Sequence, residues 1–270
     1  MSKPRDVKKS GFKITQNING ASKMRMDAKI FGKLSKKVPS LFSDEILSFY
    51  CLSMVDTLRL GMQEKCPLCH SDAPLFYSDE QHYFRCPECR AIFVASWDLP
   101  NAKSEKERYE LHSSDTEDVG YRKFVSPITD AVVQDFLPSS RGLDFGAGHS
   151  AIISVVLKEK GYSIVNYDPY FHNYPELLSK QYDYITSCEV IEHFYHPRRE
   201  FKRLREMLRE GGRLYLMTDI YDESIDFASW YYKLDPTHVF FYTEETFAWI
   251  CQFYGFKSFH RHKRLVVFSL

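Results

Sequence analysis

The order of residues from Gly142 to Leu157 constrains this chain more than any other stretch. Gly142-Leu143-Asp144-Phe145-Gly146-Ala147-Gly148-His149-Ser150 follows the turn signal Pro138-Ser139-Ser140 and precedes the apolar run Ala151 to Leu157. It reads as a strand, a glycine turn and a helix. Glycine adopts positive φ and allows close approach of a ligand, so two glycines after a short apolar strand imply something bound at the following helix N-terminus. A second strand, Tyr162 to Tyr167, ends at Asp168, twenty residues beyond Gly148. A carboxylate so placed can accept hydrogen bonds from the two hydroxyls of a ribose. A dinucleotide site would carry G-x-G-x-x-G, but Ala151 stands three residues after Gly148. Asp144 in front of the turn would repel a pyrophosphate and suits a cationic amino-acid nucleoside better.

Strands and helices then alternate: strands at 141–145, 163–168, 182–188 and 212–219, helices at 150–160, 174–180 and 198–210. This predicts an α/β domain of parallel strands joined by crossovers. Thr243-Glu244-Glu245-Thr246 resembles a capping box opening a helix to Tyr254, and 256–261 with 264–269 reads as an antiparallel hairpin. Ahead of the α/β core (141–270), residues 100–140 read as a helical connector or lid, with helices over 103–112 and 119–136.

Residues 62–99 are a different module. Cys66-Pro67-Leu68-Cys69 and Cys86-Pro87-Glu88-Cys89 lie sixteen residues apart, with Phe76, Tyr77, Tyr83, Phe84, Ile92 and Phe93 around them. Two such knuckles supply four thiolates to one tetrahedral zinc, and the aromatic segments suit short ribbon strands. Zinc with four thiolates has no open position, so its role is structural. A CxxC redox pair is the competing reading, opposed by the presence of two copies flanking a ribbon. Nucleic acid, a protein or the neighbouring domain could each lie against the ribbon; Asp79-Glu80 in its middle disfavours nucleic acid.

Net charge is zero but uneven, because residues 1–40 hold eleven Lys or Arg against Asp6 and Asp27. Residues 1–61 are expected to be a basic, largely disordered extension with one helix, opened by Ser43-Asp44-Glu45, whose apolar face runs from Ile46 to Leu58. The longest apolar candidate, Ile46 to Leu60, is broken by Asp56 and Arg59, which excludes a bilayer span there. The start lacks the features of a secretory signal, and Cys51, Cys188 and Cys251 are isolated, as in reduced thiols. A cytoplasmic protein without a membrane partner is expected.

From about residue 105 to 270 the chain resembles the class I S-adenosylmethionine-dependent methyltransferases. The resemblance is carried by Leu143 to Gly148, Tyr167-Asp168-Pro169, Tyr182-Asp183-Tyr184-Ile185, Cys188-Glu189-Val190-Ile191-Glu192-His193, Leu208 to Leu214 and Pro236 to Thr243. The Glu189 to His193 segment looks most like the quinone-biosynthesis O-methyltransferases. The resemblance implies a doubly wound, mostly parallel, Rossmann-like sheet of the seven-strand type behind the small zinc ribbon, with S-adenosylmethionine as cofactor. It implies that Asp144, Gly146 and Gly148 line the methionine end, that Asp168 holds the ribose and that Ser187 to Glu189 border the cofactor. Only fourteen residues separate Asp168 from Asp183, so the usual edge strand should be short or missing. His149 and Ser150 stand where the family has a glycine-rich continuation.

Methyl transfer from a sulfonium requires the protein to align an acceptor, exclude water and accept a proton. Candidates for proton acceptance are His112, His193 and His238, with His193, beside Glu192, foremost because it follows a strand whose end faces the cofactor. Glu189, Glu192, His193 and His238 could together bind a divalent ion that lowers an acceptor hydroxyl's pKa; the plainer alternative is that Glu192 and His193 shape the loop. Tyr109, Tyr121, Trp230, Tyr231, Tyr232, Phe240, Phe241 and Tyr242 either enclose a planar acceptor or pack as a lid, and Trp230-Tyr231-Tyr232 reads as the most exposed of them. The reading is methyl transfer to an oxygen or nitrogen of a small-molecule acceptor, an aromatic one included. Alternatives are an RNA acceptor gripped by ribbon and basic arm, or a non-catalytic cofactor-binding scaffold.

Overall fold

The computed structural model describes residues 61–100 and 116–270, together with the backbone pairing of Phe12–Lys13 with Arg25–Met26. The chain divides into two units, Met1–Leu58 and Arg59–Leu270, and the cysteine module and the α/β sheet both belong to the second. The helix expected over 46–58, most of the basic extension, the helix over 103–112, Tyr109 and His112 lie outside the described residues.

A six-stranded sheet organises the second unit. Its parallel part is β5 (Arg141–Phe145), β6 (Ser163–Tyr167), β7 (Tyr182–Cys188) and β8 (Leu208–Met217), to which β10 (Ser258–His262) and β11 (Leu265–Ser269) add an antiparallel hairpin. The strand order is β10-β11-β8-β7-β5-β6. No strand intervenes between β6 and β7: residues Pro175–Ser179, expected as an α-helix, form a 3₁₀ turn instead, so β6 is an edge among the described residues. β8 begins earlier than the sequence suggests, because its pairing with β7 skips between Leu208 and Arg213, where Gly211 turns the chain at φ 77°.

Side-chain alternation along the strands splits the core in two. Tyr184, Tyr215 and Met217 face α1 (Val119–Asp135) and α2 (Ile152–Glu159), packing with Val125, Ile128, Val132, Ile153 and Leu157. Their strand neighbours Ile185, Leu214 and Leu216 face the opposite side, against Phe201 and Leu204 of α3 (Pro197–Glu206) and Phe247 and Ile250 of α4 (Glu244–Tyr254). A strand covered on both faces has no polar side, which explains the unbroken apolar runs of these segments. Helix starts follow the sequence cues. The Asp118 carboxylate accepts from Gly120 N and Tyr121 N, and Thr243 with Thr246 closes a capping box on α4.

The ribbon is built from β1 (Gln63–Lys65), β2 (Asp72–Ser78), β3 (His82–Arg85) and β4 (Ile92–Val94), all antiparallel. Its two knuckles repeat one geometry. His70 N donates to Cys66 O and Arg90 N to Cys86 O, and His70 and Arg90 both take positive φ. The sheet does not end with the ribbon. A fifth strand, β9 (Phe240–Phe241), comes from the far end of the chain and pairs with β4.

That pairing corrects the reading of the late aromatic segments. Phe240, Phe241 and Tyr242 are fully buried between ribbon and core, and Trp230 and Tyr232, expected to be exposed, are 5% and 3% exposed. Only Tyr231 of that trio faces solvent, at 60%. Trp230, Tyr232 and Phe241 pack with Tyr83, Ile92, Tyr221 and Phe227 in a cluster that sequence alone could not assemble, because part of it lies in the ribbon.

Gly142, the second residue of the strand that leads into the glycine turn, lies opposite Tyr184, whose ring atoms would sit 2.2 Å from an added Cβ. Gly142→Ala is expected to cost about 1–3 kcal/mol of unfolding free energy, measured by urea titration, because the buried ring has no space to retreat into.

Candidate functional site

β5 ends in the turn Gly146-Ala147-Gly148. Gly146 and Gly148 take φ of 76° and 62°, and the amides of Gly146 and Ala147 both donate to Tyr167 O at 2.8 and 3.2 Å. The two glycines are required for different reasons. A Cβ on Gly146 would meet Val190 at 2.5 Å, whereas one on Gly148 would meet nothing within 4 Å and is excluded by backbone angle alone. Ala151 then enters α2 at φ 45°, with no side chain capping the helix amides.

Asp168, at the end of β6, fastens this turn. Its Oδ2 accepts from Gly148 N at 3.0 Å, and its Oδ1 accepts from Tyr170 N and Phe171 N at 2.8 and 3.1 Å. The carboxylate therefore holds the glycine turn and the loop after β6 together.

Asp144 is buried beneath the turn, 2% exposed. Thr186 Oγ1 donates to it at 3.0 Å and Ser154 Oγ at 3.5 Å, yet desolvation outweighs these bonds and pushes its carboxyl up to about 7. A cavity of about 20 Å³ opens above it, lined by Tyr121 and Val125 of α1, Gly146, Ala147, Ile152, Ile153 and Cys188. Ser187 Oγ is fully buried and lacks a hydrogen-bond partner. Two positive-φ glycines, a desolvated carboxyl and an orphaned hydroxyl fit a ligand with a cationic amino-acid part and hydrogen-bonding groups.

Val190, whose methyls rest on Gly146, joins this turn to a second group of side chains in the segment after β7. Glu192, His193 and His238 offer ligand atoms within 4.8 Å of one another. Glu192 is fully buried; its Oε1 accepts from Tyr232 OH at 2.5 Å and its Oε2 from Thr218 Oγ1 at 3.0 Å. His193 Nδ1 lies 2.8 Å from Thr237 O and His238 Nδ1 2.7 Å from Tyr232 O. A carbonyl only accepts, so both Nδ1 atoms carry the proton and Nε2 is the basic nitrogen in each neutral ring. Imidazoles held in this way are typical of metal-binding and proton-accepting histidines alike.

Glu189, which the sequence groups with these three, is drawn aside. Its backbone takes φ 53°, and its Oε2 pairs with Arg264 Nη2 at 2.6 Å while Oε1 is buried without a partner. Burial and the mutual repulsion of the two carboxyls hold Glu189 above the ordinary carboxylate range, Arg264 opposing; burial is the main cause for Glu192. The Arg264 guanidinium lies over the rings of Phe124 and Tyr232, 5.4 and 5.5 Å from their centroids.

Sequence reasoning did not find Thr186, Ser154, Thr218 or Arg264, because the sheet rather than the local pattern brings them in. Of the candidate aromatics, Tyr232 touches the cluster and Tyr121 the cavity, Phe240 and Phe241 pair with ribbon strand β4, and Tyr242 stacks on Phe247 of α4 with its hydroxyl donating to Ile191 O. Among the described residues, no helix is long and apolar enough to cross a membrane.

A comparison with curated proteins finds no match. Among solved structures, the chain is similar to magnesium protoporphyrin IX methyltransferase of Synechocystis PCC 6803 with bound S-adenosylmethionine, at 16% identity over 63% of this chain and 91% of that one, with a TM-score of 0.42. It is similar also to a SAM-dependent methyltransferase from Archaeoglobus fulgidus, at 18% identity over 60% and 76% of the two chains, with a TM-score of 0.42. A family model described as a methyltransferase domain matches residues 120–260, which hold the glycine turn, Asp168 and the Glu192 cluster. That match spans more than half of the chain, which belongs to this methyltransferase family.

Proposed function

We propose that the chain methylates an oxygen or nitrogen of a small-molecule acceptor, with Glu192, His193 and His238 as the acceptor-side centre. The observation that supports this reading is the convergence of those three side chains within 4.8 Å, next to a valine that rests on the glycine turn. S-adenosylmethionine supplies an electrophilic methyl group when bound. Asp144, Gly146, Gly148 and Asp168 would border it, with Ser187 and Glu189 along its rim.

The remaining tasks fall to the chain's own groups. His193 and His238, with Nδ1 pinned to backbone carbonyls, each present a basic Nε2 able to take the acceptor's proton. Tyr232 and Thr218 hold the Glu192 carboxylate in one orientation. One imidazole pair and one carboxylate also suit a divalent ion, which would lower the pKa of a bound hydroxyl. The buried aromatic surround excludes water from the same space.

In the ribbon, Cys66 Sγ and Cys89 Sγ lie 3.6 Å apart and Cys69 Sγ and Cys86 Sγ 3.3 Å apart. Tetrahedral zinc with bonds of about 2.3 Å sets sulfurs about 3.8 Å apart, so the four thiols fit a structural zinc with little adjustment. The ribbon's aromatic face is occupied by Phe227 and its neighbours, which favours a small acceptor over an RNA gripped by the ribbon.

Three measurements test these assignments. Elemental analysis is expected to give one zinc per chain, and none after Cys86→Ser with Cys89→Ser. Below a pH of about 7, Asp144 holds a proton that a cationic ligand must displace, so calorimetry should show S-adenosylmethionine binding strengthening roughly tenfold between about pH 6 and pH 8, with Asp144→Asn flattening the rise. The sign reverses for folding: the folded carboxyl keeps a proton that the unfolded chain has lost between about 3.8 and 7, so stability without ligand falls as pH climbs through that window. Finally, in a methyl-transfer screen of phenols and amines, Glu192→Ala is expected to lower turnover by about 10²–10⁴-fold with S-adenosylhomocysteine binding retained. Turnover unchanged under chelation would remove the divalent ion and leave proton transfer to the imidazoles.

A further inference from the structure

We infer that the ribbon is a positioning element of the acceptor-side centre: coordination by Cys66, Cys69, Cys86 and Cys89 sets where Glu192, His193 and His238 stand, while the glycine turn holds its shape without it. The inference rests on reading those three residues as the reacting centre, but the mechanical linkage is independent of that reading.

The linkage begins in the backbone. The second knuckle is fastened by Cys86 N donating to Ala91 O, and β4 starts at the next residue, Ile92. From the last residue of β4, Val94 N donates to Val239 O at 2.9 Å, and Val239 N donates to Glu192 O at 2.9 Å. Two consecutive hydrogen bonds thus join the cysteine knuckle's strand to the main chain of Glu192. His238 precedes Val239, and β9 follows it, paired to Phe93 and Ile92.

An ion pair with a buried ammonium makes a second link. Lys233 Nζ meets Asp79 Oδ2, in the turn between β2 and β3, at 2.5 Å, and its side chain is 4% exposed. Its ammonium lies 5.1 Å from the ring centroid of Tyr77 and 5.7 Å from that of Tyr83. An ammonium this deep is tolerated only while its partner is in place. The residue before it is Tyr232, whose hydroxyl bonds Glu192 and whose carbonyl accepts from His238 Nδ1, so displacement at position 233 reaches two members of the centre. Phe227 wedges the same interface, its ring 5.5 and 5.0 Å from Tyr77 and Tyr83 of the ribbon and 5.9 Å from Phe241. The first knuckle is held as well, Arg198 Nη1 donating to Leu68 O at 3.0 Å.

The glycine turn has other supports. Gly146, Ala147 and Gly148 bond to Tyr167 and Asp168, at the sheet edge formed by β6. Opening the ribbon should therefore loosen one half of the site and spare the other.

The test removes metal from the full chain with an organomercurial and EDTA, confirms release colorimetrically, and follows hydrogen exchange by mass spectrometry alongside calorimetric titration with S-adenosylhomocysteine. Exchange is expected to rise about tenfold or more across 189–195 and 231–243, with 142–168 changing less than about twofold and the Kd for S-adenosylhomocysteine staying within about threefold. Lys233→Met should open 189–195 with metal still bound, and Lys233→Arg should largely restore protection; should Lys233→Met not fold, the near-isosteric Asp79→Asn takes its place. Unchanged protection at 189–195 after metal release would overturn the inference by making the ribbon an independent module. Simultaneous opening of 142–168 with loss of S-adenosylhomocysteine binding would overturn it too, since the whole unit would then unfold as one. Full turnover in Glu192→Ala would instead remove the reacting-centre reading while leaving the exchange pattern as expected, so the two ideas fail separately.

Discussion

Strands β5 and β7 are parallel neighbours, with Asp144 opposite Thr186, and the rest of the site depends on that pairing. Parallel neighbours release their C-terminal ends on the same side of a sheet, where α/β folds collect their ligands. The glycine turn leaves β5 and the 189–193 segment leaves β7, so Gly146 and Val190 come into contact without any sequence proximity. The same pairing gathers Asp144, Glu189 and Glu192 in a poorly solvated region. Each carboxyl is held above its ordinary range chiefly by burial, a standing electrostatic cost that a cationic ligand relieves.

The ribbon answers a separate problem, the covering of an aromatic surface. Trp230, Tyr232, Phe241 and Phe227 would present a large apolar patch on the α/β unit by itself, and Tyr83, Ile92 and Val94 complete their burial. A ribbon of roughly 40 residues has little interior of its own beyond its cysteine cluster, so each module supplies what the other lacks. The shared strand β9 makes the union a matter of main-chain hydrogen bonds as well as of side-chain packing.

Much of this was legible before folding. The strand, glycine turn and helix, the closing hairpin, the capping box on α4 and the four-cysteine knuckles all follow from short-range chemistry, and the structure has each of them. The fourteen-residue spacing between Asp168 and Asp183 foretold the shortened edge, since too few residues remain for a strand and a helix. What stayed hidden was long-range. Phe240–Phe241 is too short to read as a strand, and its partner lies nearly 150 residues earlier. Trp230 and Tyr232 read as exposed because nothing local announces the ribbon that covers them. Arg264 competes for Glu189 from the turn of a hairpin more than seventy residues away, so the four-residue acidic and imidazole set of the sequence becomes a set of three.

The shortened edge has a consequence for solubility. Among the described residues β6 is the terminal strand, five residues long, with Val165 39% exposed. An open strand invites pairing with another chain, and proteins blunt that tendency by keeping such strands brief and flanking them with polar or charged groups. Lys158, Asn166, His172 and Glu176 border the groove beside β6, and the loop after it turns back on itself through mutual backbone bonds between Asp168 and His172. Omitting one strand from the sheet thus leaves a rim that is short and bordered in part by charged and polar groups, two of the features by which an edge strand resists pairing with another chain.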